Sequence, residues 1–185
     1  MNTNQDPELH SHDLYVVVSQ TNTIVSRIIR LFTKDKYNHA SISLNEELTD
    51  MYSFGRKYSR SPIPGGFIQE NIHKKVFKNH PETKMAVYKL SVTDEQYAKI
   101  LDMLKEMKYN PRKYQYNILG LFLAAAHKER KAQNKFYCSE FVKHVLVNSN
   151  VVKEKELPNI CKPMCFRNIP SEIIFEGKLT DYGKR

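Results

Sequence analysis

Hydrophobic positions recur along this chain with two different periods, and each switch between them marks a new element. Residues 1–12 are polar, hold one proline and two histidines, and show no periodicity. They read as a loose tail, with His10 and His12 as tail residues and not ligands. Residues 14–18 form an apolar, β-branched run that predicts a buried strand. Ser-Gln-Thr-Asn-Thr follows, rich in helix-capping types, and Ile24, Val25, Ile28, Ile29 and Phe32 then fall at helical spacing. Arg27, Arg30 and Lys34 lie mostly outside that stripe, which predicts an amphipathic helix of about three turns packed on the core.

At His39 the period becomes two. Ala40, Ile42 and Leu44 occupy one face of the predicted strand and His39, Ser41 and Ser43 the other. Residues 46–50 should turn and 51–54 return as the antiparallel neighbour, with 56–66 a loop by its Ser, Pro and paired Gly content. Residues 85–92 alternate as another strand. Thr93-Asp94-Glu95-Gln96 matches a capping box and opens a helix whose stripe is Tyr97, Ile100, Leu101, Leu104 and Met107, ended by Asn110-Pro111. Residues 118–126 are apolar nearly throughout but too few to span a bilayer, so they predict a buried helix, with His127 a structural residue at its negative end. A last helix, from 138 to about 147, carries Phe141, Val142, Val145 and Leu146 on its inner face.

Composition adds bounds to this pattern. With 185 residues, 41% hydrophobic and 26% charged, the chain suits one core, so a single domain over 13–185 is expected behind the tail. No run of roughly 18 to 20 apolar residues occurs, and Met-Asn-Thr-Asn-Gln-Asp-Pro-Glu lacks the basic and apolar regions of a secretory signal. A cytoplasmic location is expected. The three cysteines read as thiols: an odd number without an export signal does not suggest a disulfide framework. Cys161 and Cys165 enclose Lys-Pro-Met, not a zinc-knuckle spacing, and read as small apolar residues in a loop, so no metal or other cofactor is expected. The net charge of +9, from 29 Lys and Arg against 20 Asp and Glu, leaves anionic lipid or another acidic partner open. The basic residues are dispersed, without a nucleic-acid motif around them, so most read as a solvated face and nucleic acid is disfavoured.

Two residues carry candidate chemistry. Cys138 opens the last helix, where unpaired N–H groups and the positive end of the helix dipole favour a thiolate. His39 opens a strand, beside serines small enough to leave room at its imidazole. A histidine base and a thiol need not be close in sequence to act together. His144, six residues after Cys138, falls off the cysteine's helix face and reads as a surface or packing residue.

The segment over 14–44, with Ser-Arg-Ile-Ile-Arg-Leu-Phe-Thr and Lys-Tyr-Asn-His-Ala-Ser-Ile, resembles the opening of the circularly permuted NlpC-type branch of the papain-like fold. Tyr114-Gln-Tyr116-Asn-Ile-Leu-Gly and Tyr137-Cys138-Ser139-Glu140-Phe141-Val142 resemble its second half. The resemblance covers roughly residues 14–148; it is to permuted bacterial cysteine amidases and, more distantly, to lecithin:retinol acyltransferase relatives. Histidine before cysteine is the order that permutation produces. The resemblance implies an α+β fold in which an antiparallel sheet packs against the cysteine-bearing helix. It further implies Cys138 as nucleophile, His39 as base, and a third polar group on the strand after His39. Relatives often carry a carboxylate or a second histidine there, and Ser53 is the best-placed residue here. Tyr114 or Tyr116 would assist an oxyanion, together with the Cys138 backbone N–H. The expected activity is a cysteine hydrolase or acyltransferase acting on amide, ester or thioester bonds of a peptide, an acyl lipid or a conjugate. The alternative is a non-catalytic lipid- or peptide-binding module using the same groove, and a basic nucleic-acid binder is a weaker third class.

Overall fold

The computed structural model describes residues 11–20, 35–56, 65–128 and 132–184. The expected helix over 24–34 lies outside them. Among the described residues an antiparallel six-stranded sheet forms from β1 (Ser11–Ser19), β2 (His39–Ser43), β3 (Met51–Arg56), β4 (Gly65–Glu70), β5 (Lys84–Thr93) and β8 (Glu172–Lys178). Its spatial order is β4-β3-β2-β1-β5-β8, so β1 is central and β4 is an edge. The helices are α1 (Lys75–Asn79), α2 (Asp94–Tyr109), α3 (Ile118–Ala125) and α4 (Cys138–Asn148), and the two-residue strands β6 (Gln115–Tyr116) and β7 (Lys135–Phe136) pair in parallel around α3. The class is α+β.

The unbroken apolar run in β1 has a direct cause: both faces of the sheet are covered. Leu14, Val16 and Val18 join Ala40, Ile42, Phe54 and Tyr88 in the main core under α2 and α4, while Tyr15 and Val17 join Leu48, Met51, Phe77, Val87 and Phe175 in a second cluster. From α4, Phe141 presses its ring against Phe54 at 5.4 Å and Phe67 at 5.8 Å, which seats the helix on β3 and β4. At α2 the capping box forms: Thr93 Oγ1 accepts from the Gln96 N–H at 3.2 Å and Gln96 Oε1 from the Thr93 N–H at 2.9 Å.

Three expectations need correction. Ser11 and His12 belong to β1 and not to a loose tail; they pair with Thr93 and Val92, and His12 stacks on Tyr97 at 4.2 Å and meets Asp94 at 2.9 Å. Arg56, Gly65 and Gly66, expected in a loop over 56–66, are strand residues, because Arg56 pairs with Gly65 and Gly55 with Gly66 in the β3–β4 ladder, and the rest of that expected loop lies outside the described residues. Helix α3 is not buried all round: Leu121 and Ala124 face inward, but Leu119 is 50% and Phe122 41% exposed. Its end is a Schellman turn, with the His127 N–H bonded to Ala124 O at 3.1 Å and the Lys128 N–H to Leu123 O at 2.8 Å. His127 takes the left-handed conformation that this turn requires, at φ 58°. No helix among the described residues is long and apolar enough to cross a membrane.

Candidate active site

Helix α4 and strand β2 bring Cys138 and His39 together from opposite ends of the sequence, each as the first residue of its element. His39 stands opposite Ser19, at the end of the β1–β2 ladder. Its Nε2 lies 3.1 Å from both Oε1 and Oε2 of Glu70, the last residue of β4. Ser41 Oγ donates to Glu70 Oε2 at 2.6 Å and sits 3.2 Å from His39 Nε2. With Nε2 committed to the carboxylate, Nδ1 is the ring nitrogen left for the thiol. Cys138 lies close enough to the imidazole to favour its charged form. Such pairs commonly tighten only when substrate binds.

The electrostatics follow from this geometry. The His39 and Glu70 side chains are only 13% and 14% exposed. Burial alone would push the imidazole towards neutrality, but the Glu70 carboxylate and Cys138 together raise it well above its ordinary value. Burial likewise opposes the Glu70 charge, yet His39 and Ser41 hold the carboxyl below the usual range. Each charge exists because the other does, and the pair presents an imidazolium to the thiol.

Glu70, not Ser53, is the group that orients His39. Ser53 lies near Glu70 and helps to keep it charged, but its buried Oγ makes no hydrogen bond of ordinary geometry. A short hydroxyl on β3 adds little once Ser41 bonds the same carboxylate at 2.6 Å. The signal for Glu70 was present in the sequence: it is the only acidic residue between Asp50 and Glu82, in a stretch holding six Lys and Arg.

Beside Cys138 lies a small open cleft of about 30 Å³, walled by Tyr37, Leu121, Ala124, Tyr137 and Pro163, with Asp35, Asn38 and Lys162 as polar members. Neither tyrosine expected to serve an oxyanion lines it. Tyr114 stacks on Phe136 at 6.4 Å with Lys113 over its ring, and Tyr116 lies against Gly65 so closely that a Cβ there would meet its ring at 2.6 Å. Among the polar residues that line the cleft is Asn38, which immediately precedes His39 and which the pattern of the sequence did not single out. Cys161 is also in the wall, its carbonyl accepting from Ser139 Oγ at 2.7 Å. Its thiol donates to Lys162 O at 3.9 Å, while Cys165 Sγ accepts from the Lys162 N–H at 3.4 Å. Coupling between the two thiols pulls Cys165 down to about 6 and pushes Cys161 up, so these two are an interacting pair and not apolar bystanders. Comparison with protein-family models, with curated proteins and with solved structures finds no match to this chain.

The cysteine helix is held to its neighbour by a polar clamp. Asn117 caps α3 by accepting from the Gly120 N–H at 2.9 Å, and its amide donates to Glu140 Oε2 at 3.1 Å. Glu140 in turn accepts from the Tyr137 N–H at 3.1 Å, one residue before Cys138. These three bonds fix where the first turn of α4 sits relative to the cleft wall.

Proposed function

We propose that this chain is a cysteine hydrolase or acyltransferase of the circularly permuted papain-like type, working through Cys138, His39 and Glu70. The observation that carries the reading is the buried, mutually charged His39–Glu70 pair set against a thiol at a helix N-terminus. A structural histidine does not need a buried carboxylate on one side and a cysteine on the other.

In this mechanism the Cys138 thiolate attacks the carbonyl carbon of an amide, ester or thioester. The oxyanion develops towards the first N–H groups of α4 and the Asn38 side chain. The His39 imidazolium gives its proton to the leaving group as the tetrahedral species collapses to a Cys138 thioester. His39, now neutral, takes a proton from water or an acceptor nucleophile, which attacks the thioester and frees the acyl product. Glu70 remains ionised throughout, keeping the ring in place and favouring its charged form. Peptides, acyl lipids and acyl conjugates are the substrate classes, and three free thiols suit a reducing, cytoplasmic setting.

One observation favours the binding-module alternative: Cys138 is only 6% exposed, behind a largely apolar cleft. A thioester and amide library with single-turnover mass spectrometry separates the two. Accumulation of a Cys138 acyl adduct in wild type, absent in Cys138→Ala and in His39→Ala, is expected of an enzyme. Substrate retained in the cleft without any adduct would assign the chain to the binding class.

A further inference from the structure

We propose that the outward face of α3 docks on an anionic lipid surface. The helix reads Ile-Leu-Gly-Leu-Phe-Leu-Ala-Ala, without one polar side chain. Its inner side is accounted for, since Leu121 and Ala124 pack on Tyr137 and wall the cleft. Its outer side is not. Leu119 and Phe122, one turn apart, are two of the four large hydrophobics exposed among the described residues, the others being Tyr109 and Ile173. Exposed apolar residues standing singly are ordinary; two stacked on a wholly apolar helix form a ridge.

The charges around this ridge choose its occupant. Arg112 precedes β6, Lys135 opens β7 directly opposite Gln115, and Lys128 follows the helix end, all three exposed. Among the described residues the acidic groups nearby are already engaged: Glu106 pairs with Lys113, Glu140 bonds Asn117 and Tyr137, and Asp35 meets Lys162 at 3.8 Å. An apolar ridge with cations at both ends meets a membrane interface in the ordinary way, with Leu and Phe below the head groups and Lys and Arg at the phosphates. A second copy of the chain would bring like charges face to face, and a nucleic acid would meet the cations but leave the ridge unburied. Because α3 also walls the cleft, docking would bring Cys138 close to acyl chains, but docking itself does not require Cys138 to be a nucleophile.

The test is co-sedimentation of the full chain with phosphatidylcholine vesicles, with and without phosphatidylserine. Binding is expected only to the anionic vesicles, weakened about tenfold or more by high salt. The Leu119→Glu/Phe122→Glu variant and, separately, Arg112→Glu/Lys128→Glu should each lose binding by a similar factor while melting like wild type. Cys138→Ala should bind as wild type does, so failure of the nucleophile reading is distinguishable from failure of docking. Because the chain has no tryptophan, Phe122→Trp supplies a single reporter whose emission should shift to the blue on anionic vesicles. Unchanged emission of that variant, equal binding to neutral vesicles, or full binding by the glutamate double variant would overturn the proposal. Self-association of the wild type that the glutamate variant abolishes would instead give the face to a second copy, and single-stranded DNA binding without vesicle binding would give it to nucleic acid.

Discussion

The division of labour around His39 turns on side-chain length. Serine on the neighbouring strand is nearer along the chain, but glutamate on the edge strand is the residue whose carboxylate reaches the ring. Glu70→Gln should therefore lower kcat/KM roughly a hundredfold or more, as neutral replacements of a triad carboxylate do. Ser53→Ala should change activity less than about threefold and leave stability the same or higher by up to about 1 kcal/mol, because an unsatisfied buried hydroxyl is removed. The ion pair also fixes a pH window. Glu70 is held below its usual 4.5, so its contribution is present above that pH and is lost as acid titrates the lowered group. His39 is held above its usual 6.5, so its contribution is full below that pH and is lost as alkali titrates the raised group. Melting temperature relative to a His39→Asn/Glu70→Gln variant should peak between these two values, and a flat difference would refute the coupling. Outside the site, Cys165, pulled down to about 6 and only partly buried, should be alkylated by iodoacetamide at pH 7 alongside Cys138, with Cys161 protected, as peptide mass mapping would show. His39 and Cys138 were legible because each opens an element where the pattern switches. Glu70 stood out as a lone carboxylate in a basic stretch, but its role was not legible, since that role exists only through the pairing of β4 with β3.

Among elements, local signals served best where one hydrogen-bonding rule decides the outcome. The Thr93–Gln96 capping box names the first turn of α2 by side-chain chemistry alone. In contrast, α3 was legible as a helix but not as a half-exposed one, because uniform apolarity does not say which side will be covered. Strand β4 was hidden by Gly65 and Gly66, which mark a turn in isolation, whereas here Gly65 admits the Tyr116 ring at the start of the strand. Gly120 provides a test at this scale. A Cβ there would meet Asn117 Nδ2 at 2.1 Å, so Gly120→Ala should displace the cap and loosen the Asn117–Glu140 clamp despite alanine's better helix propensity. A loss of about 1 kcal/mol, with a fall in Cys138 acylation rate, is expected in denaturant melts and single-turnover assays. Asn117→Ala should show both effects as well, and a stabilised, fully active Gly120→Ala would remove the clamp from the account.

At the level of the molecule, sheet order sets how firmly each part of the site is held. The central strand β1 is hydrogen-bonded on both sides and buried on both faces, so its amides should exchange most slowly with deuterium, close to the global limit. The overall α+β class, with its antiparallel sheet, was readable from the alternation of periods. The covering of both sheet faces was not, because segments as distant as Leu48, Phe77 and Phe175 supply the second layer. The three candidate groups are held unequally within this frame. Cys138 rests on the packed helix α4 and His39 on an inner strand, but Glu70 ends a strand that, among the described residues, has one hydrogen-bonded partner in the sheet. Fraying of β4 would take the carboxylate from the imidazole while the rest of the chain stayed folded. Turnover should then fail on warming several degrees below the cooperative melt and return at once on cooling, so that the edge strand acts as a thermal fuse for the chemistry.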